Sequence, residues 1–259
     1  MAWDESKHPR DNDGKLTNGT GTPREFRQNT PYREILNSSK NNAVENIDEQ
    51  NINGKGPTNV IHTFDPNYVH KDGYIANVRQ GTPMSHDEAD RGNVNSLFNS
   101  GTNGYNNNCQ TCVATYWARR MGYDVRALPN ENNQWTKLLS THTNFAFIDK
   151  ATGKPPQYIT YNGGSDTMDM YLWFTNTLKE GQTYSIEYGW KQMPGVGHIV
   201  TIERNGYNIT AYDPQNDTTL EGQDLLDYLW SETLCDFKLM NLTNCAINET
   251  YCDRIMTRR

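Results

Sequence analysis

Cys109, His198 and Asp213 are the side chains whose types and placement could do covalent chemistry in this chain. A cysteine attacks a carbonyl as its thiolate, and a free thiol with a pKa of about 8.5 is mostly protonated at neutral pH. A position at the start of a helix relieves this. Unpaired amides and the positive end of the macrodipole favour negative charge in the first turn. Cys109 directly follows Asn106, Asn107 and Asn108, and Cys109 to Met121 has helical character with Gly122 as its stop. Asn107 or Asn108 is the expected N-cap, and Cys109, Cys112, Val113, Tyr116 and Trp117 or Arg120 form the expected buried stripe. The same first-turn amides could receive an oxyanion.

A buried structural thiol is the competing reading of Cys109, and it is the preferred reading of Cys112, one turn further along the same face. The Cys109-x-x-Cys112 spacing also fits a redox or zinc motif. A thioredoxin-like site needs an apolar strand ahead of the motif, whereas a polar loop precedes it here. Zinc needs a second ligand pair, which Cys235, Cys245 and Cys252 do not supply. No metal and no cofactor are expected.

The histidine and the carboxylate are related through a hairpin. Asn205-Gly206 lies between two alternating segments, and Asn-Gly is a strong two-residue turn signal because both positions take positive φ. With that turn, Arg204 faces Tyr207 and, counting outward, His198 faces Asp213. Their Cβ atoms are then about 4.5–5.5 Å apart, on the face that also carries Val200, Ile202, Ile209 and Ala211. A carboxylate in that position orients an imidazole and stabilises its cation. A surface His–Asp pair is the plain alternative, disfavoured by the apolar character of that face.

Further elements frame these residues. Ser85 and Glu88 have capping-box spacing for a short helix. The Asn/Gly/Ser-rich run from Gly92 to Asn108 reads as a loop into the cysteine helix. A second helix fits Thr167 to Leu178. Strands are expected at Thr183 to Tyr188, His198 to Arg204 and Tyr207 to Asp213, then a helix from Leu220 to Trp230 and a strand near Phe237 to Leu242. Helices first and an antiparallel sheet second define an α+β fold.

The chain of 259 residues has a hydrophobic fraction of 34% and a mean hydropathy of -0.89, which is poor for a core of this length. Residues 1–58 are rich in Asn, Asp, Gly, Thr, Lys and Arg. They read as a flexible polar arm, with at most a short helix near Tyr32 to Leu36, ahead of a catalytic domain over residues 59–259. The net charge of -7, without a long Lys/Arg cluster, argues against a nucleic-acid partner. The opening MAWDESKHPRD lacks the apolar core of a secretory signal, and no segment nears the roughly 18 apolar residues of a membrane span. Synthesis in the cytoplasm and no membrane partner are therefore expected. Five cysteines, an odd number, imply at least one free thiol.

The runs Asn108-Cys109-Gln110-Thr111-Cys112-Val113-Ala114, Arg119-Arg120-Met121-Gly122-Tyr123-Asp124-Val125, Gly197-His198 and Asp213-Pro214-Gln215 resemble the papain-fold toxin family predicted to deamidate glutamine. That family occurs in bacterial polymorphic toxins and at the ends of phage head proteins. The resemblance covers residues 74–242. A weaker one links Trp3 to Asp11 and Gly14-Lys15 to segments that precede such domains in phage-associated proteins.

The resemblance implies a papain-like core with Cys109 as nucleophile, His198 as general base and then acid, and Asp213 as orienting group. It implies a protein substrate presenting a Gln side chain, a toxin or effector role in a target cell's cytoplasm or on a virion, and a cognate immunity or inhibitor protein as partner. Papain carries a Gln six residues before its cysteine; the corresponding residue here is Asn103. Asn103, Asn106 to Asn108 and Gln215 are the candidate oxyanion or substrate contacts. Triad residues alone equally allow a cysteine peptidase or a transglutaminase, and a non-catalytic phage-associated binding module is the reading from another class.

Overall fold

The computed structural model describes residues 73–90, 93–163, 167–229 and 234–259. The expectations for residues 1–58 lie outside the described residues. Everything described belongs to one compact unit, Asn46–Arg259, with an α+β architecture.

The core of the fold is a six-stranded antiparallel sheet. Its strands are β5 (Ile159–Thr160), β6 (Thr183–Trp190), β7 (Met193–Asn205), β8 (Asn208–Asp213), β9 (Thr218–Glu221) and β10 (Leu234–Asn241), in the order β5-β10-β6-β7-β8-β9. Strands β6 to β9 form a meander, and β10 returns to the far side of β6. Around the sheet lie helices α1 (His86–Ala89), α2 (Cys109–Arg120), α3 (Gln134–Thr141), α4 (Thr167–Thr177), α5 (Gly222–Leu229) and α6 (Glu249–Cys252). Three two-stranded ladders complete the unit: β1 (Tyr74–Ile75) with β2 (Val78–Arg79), β3 (Val125–Ala127) with β12 (Met256–Arg258), and β4 (Phe147–Asp149) with β11 (Cys245–Ile247).

Alternation assigns the two faces of the sheet. Ile199, Glu203 and Tyr212 meet α2: Ile199 packs in one core cluster with Val113 and Trp117, Arg120 pairs with Glu203 at 3.3 Å, and the Tyr116 and Tyr212 rings are 5.0 Å apart. Residues of the other parity meet α4 and α5. Arg204 donates to the Thr175 carbonyl, Tyr184 donates to the Thr177 carbonyl at 3.3 Å, and the Tyr188 and Tyr228 hydroxyls are 2.6 Å apart. His198 and Asp213 share this second parity with Val200, Ile202, Ile209 and Ala211, all of them buried.

Helix α2 begins at Cys109 with Asn108 as N-cap and ends in a Schellman motif. The Tyr123 N–H donates to the Ala118 carbonyl at 3.0 Å, and the Gly122 N–H to that of Arg119 at 2.8 Å. Gly122 is required there: its φ is +104°, and a Cβ would meet the Gly81 carbonyl oxygen at 2.5 Å. The expected single stripe is corrected, since Thr111 through Arg119 are all buried. The side of α2 away from the sheet is covered as well, by α1, α3 and the β3 ladder. The buried arginine is Arg119 rather than Arg120. Its guanidinium is satisfied by the carbonyls of Ala89, Glu88 and Val125 and by Asp124, as a buried cation requires.

The β7–β8 hairpin is also corrected. Its two-residue loop is Gly206-Tyr207, not Asn205-Gly206: Asn205 pairs with Asn208 and Thr201 with Tyr212. Gly206 has φ +63° at the first central position, which is where a type II′ turn needs it. The Glu180 carboxylate accepts the Gly206 N–H at 2.7 and 2.8 Å, and Arg204 donates to the Gly206 carbonyl at 2.8 Å. The register therefore differs by two residues from the one the Asn-Gly signal predicts. Continuing the observed ladder puts Asp213 opposite Val200, so His198 and Asp213 are diagonal rather than direct neighbours. A shift of two preserves the face of every side chain.

Smaller differences concern boundaries. The expected helix from Leu220 begins only at Gly222, because Thr218–Glu221 forms the edge strand β9. The Ser85–Glu88 spacing does produce a capping box at the start of α1.

Candidate active site

His198 lies where β7 becomes buried, and Asp213 is the last residue of β8. Despite their diagonal registry, His198 Nε2 is 2.7 Å from Asp213 Oδ2. Both residues are buried, at 5% and 1% exposure. The second carboxylate oxygen, Oδ1, accepts the Gln215 backbone N–H at 2.9 Å, so the Asp213 carboxylate is held at both ends.

The third group is Cys109, the first residue of α2, also 5% exposed. It lies near enough to His198 to contribute to the imidazole's ionisation. Burial alone would lower the imidazole pKa. The Asp213 carboxylate and the Cys109 sulfur outweigh burial and push it up to about 10.

Cys112 is in a different state. Burial pushes its thiol well above the usual range, and the nearby Cys109 and Asp213 push it further. Its sulfur donates to Asn108 Oδ1 at 3.2 Å. All five cysteines are unbridged.

Aromatic rings enclose the imidazole. Tyr188 is its direct cross-strand partner, edge-on with ring centroids 5.9 Å apart. Trp190 lies nearly parallel to it at 6.1 Å. Gly197, next to His198, packs tightly on β6: a Cβ there would meet the Tyr188 carbonyl oxygen at 2.6 Å.

The candidate oxyanion contacts fare differently from expectation. Asn103 is exposed in the loop before α2. Asn108 is 1% exposed, and its side chain makes no cap hydrogen bond to α2. Its Nδ2 instead donates to Asn95 Oδ1 and to the Leu128 carbonyl, which uses both N–H bonds. Gln215 is 3% exposed and donates to Asn108 Oδ1 at 3.3 Å. Asn108 and Gln215 are thus turned toward each other within the protein. The first-turn backbone amides of α2 remain as donors for an oxyanion.

Two residues at the site were not singled out in the sequence. Gln110 accepts from Cys109 Sγ through Oε1 at 3.1 Å; a polar side chain directly after a helix-start cysteine is the signal that could have found it. Asn95 binds the Asn108 side chain, and nothing local in the loop marks it.

Among the described residues no group of three or more His, Cys, Asp or Glu is placed to hold a metal ion. No helix among them is long and apolar enough to cross a membrane. In comparisons with known proteins, the chain matches no family model and no curated protein.

Proposed function

We propose that this protein is a cysteine-dependent amidohydrolase built on a papain-like core, and that its reaction is deamidation of a glutamine side chain in a target protein. The observation that carries the reading is the grouping of Cys109, first residue of a buried helix, with His198 and with an Asp213 carboxylate that is held at both ends. In this reading the Cys109 proton resides on His198. The thiolate attacks the carboxamide carbon, the oxyanion is received by the α2 amides, and His198 gives its proton to the leaving ammonia. Water, deprotonated by His198, then resolves the thioester to glutamate and regenerates the thiol. Asp213 fixes the imidazole and stabilises its cation.

Two features favour a side-chain carboxamide over a peptide bond. Cys109 is 5% exposed, whereas a peptidase needs an open cleft that pairs with an extended chain. A primary carboxamide already fits against the sulfur, that of Gln110. The order of a cysteine helix followed by histidine and aspartate strands agrees with the papain-fold toxin resemblance, and with it a toxin or effector role and a cognate inhibitor protein are proposed.

The test treats a cell lysate with wild-type or Cys109→Ala protein and follows ammonia, Gln to Glu conversion and new N-termini together. Cys109-dependent ammonia with Gln to Glu conversion and no new N-termini is the expected result. Cys109-dependent N-termini without ammonia would make the protein a peptidase.

A further inference from the structure

A buried carboxamide cluster joins the two elements that carry the ends of the triad. Asn108 Oδ1 accepts from Asn95 Nδ2 at 3.2 Å, Gln215 Nε2 at 3.3 Å and Cys112 Sγ at 3.2 Å. Asn108 Nδ2 donates to Asn95 Oδ1 at 3.3 Å and to the Leu128 carbonyl at 3.0 Å. Asn95 Nδ2 is shared further with the carbonyls of Gln215, at 2.9 Å, and Tyr105, at 2.8 Å. The three side chains come from distant segments and are 6%, 1% and 3% exposed.

An Asn at an N-cap ordinarily spends its side chain on the helix's own amides. Asn108 spends it sideways, on Asn95, on the Leu128 carbonyl and on the Gln215 side chain that follows β8. This leaves the first-turn amides open beside the sulfur and ties the helix start to the strand end. The tie reaches Asp213 directly, because the same Gln215 that donates to Asn108 also holds Asp213 Oδ1 through its backbone.

We propose that Asn95, Asn108 and Gln215 are positioning residues that lock the Asp213 end of β8 to the Cys109 turn of α2, and so set the Cys109–His198–Asp213 spacing. The proposal rests on the triad reading above. A cluster that only stabilised the fold would change the melting temperature of its variants but not the ionisation of Cys109 in molecules that remain folded.

The experiment measures alkylation of Cys109 by iodoacetamide in the full chain between pH 4 and 10, quantified on the Cys109 peptide. The variants are Gln215→Met, Asn95→Leu and, as a destabilised control in a separate core cluster, Ile148→Ala. Gln215→Met and Asn95→Leu remove different bonds, so loss of folding in one leaves the other as the test; near-UV circular dichroism verifies folding. The expected wild-type profile has fast alkylation at pH 6. Both positioning variants should move the midpoint of the rate profile up by about one pH unit while keeping the wild-type rate near pH 10, as a one-unit rise in thiol pKa requires. The control should melt earlier with an unmoved profile. Variants that overlay an activated wild type would overturn the proposal and leave the triad standing. A wild type that titrates like an ordinary thiol would overturn the triad reading and the proposal with it.

Discussion

Cys109 and Cys112 lie one turn apart in α2, yet their surroundings differ, and the proposed reaction gives them different roles. Cys109 opens α2 near an imidazole whose pKa is pushed up, while Cys112 is fully enclosed, with burial pushing its thiol well above the usual range. Cys109→Ala should therefore abolish turnover. Cys112→Ser should keep it, with a loss of about 1–2 kcal/mol in urea unfolding from the extra buried hydroxyl. Activity that survived the first change and not the second would reverse the assignment. His198 supplies a second prediction. Its folded pKa, about 10, is raised above its ordinary 6.5. A raised basic group stabilises the fold fully below about pH 6.5, and that stability is lost as pH climbs toward 10. The stability advantage of wild type over His198→Gln should thus shrink over that window, with a slope of at most about 1.4 kcal/mol per pH unit. Urea unfolding at pH 6, 8 and 10 measures it; a difference that stayed flat would mean that His198 is neutral in the folded protein.

In the proposed reaction the β6–β7–β8 meander has to direct that imidazole toward the sulfur, and Gly197 is where the meander has no slack. A Cβ at Gly197 runs into the Tyr188 carbonyl oxygen, whereas one at Gly195 meets nothing, although φ there is +80°. Gly197→Ala should separate the strands beside His198 and lower kcat about tenfold to a hundredfold with little change in KM. Gly195→Ala should cost about 1 kcal/mol of stability and leave kcat alone. Equal kcat values for the two variants would show that strand spacing at Gly197 does not set the site. The same meander shows how far the sequence could be read. Strict alternation put His198 and Asp213 on one face with Val200 and Ile202, and that reading survives any even shift in register. Alternation is blind to a shift of two, so the choice between the Asn205-Gly206 and Gly206-Tyr207 turns fell to the Glu180 carboxylate on the Gly206 amide, a contact from outside the hairpin. The first residue of α2 was legible because a polar Asn run, a helical run and a terminal Gly mark both of its ends. The role of the Asn108 side chain was not, because its partners Asn95 and Gln215 are 13 and 107 residues away and no local pattern encodes such a meeting.

Across the whole described unit, the pieces that had no sequence signal are the short ladders. Strands of two or three residues such as β1, β3 and β12 are too short to show a period, and they are fixed by partners far along the chain. Their importance lies in how they close the core behind α2. Ile75 of β1 is fully buried in the cluster that contains Cys109, Val113, Tyr251 and Cys252. The Ala76 N–H donates to Asp253 Oδ1 at 2.6 Å, Gln80 donates to the Met121 carbonyl at 2.9 Å, and the Gly81 N–H to that of Gly122 at 2.9 Å. The segment from Gly73 to Gly81 is therefore part of the packing that holds α2, whereas the polar composition of residues 1–58 carries the expectation that they do not share in it. Two truncations separate these roles. Removing residues 1–58 should leave the melting temperature and Cys109-dependent turnover near those of the full chain. Removing residues 1–81 deletes Ile75 and both ties to the end of α2, and should cost at least about 2–5 kcal/mol, the range for emptying one large aliphatic site in a core. Thermal melts paired with Cys109 alkylation at pH 6 report both quantities. If the shorter truncation abolished alkylation while leaving the melt unchanged, a group within residues 1–58 would have to complete the site.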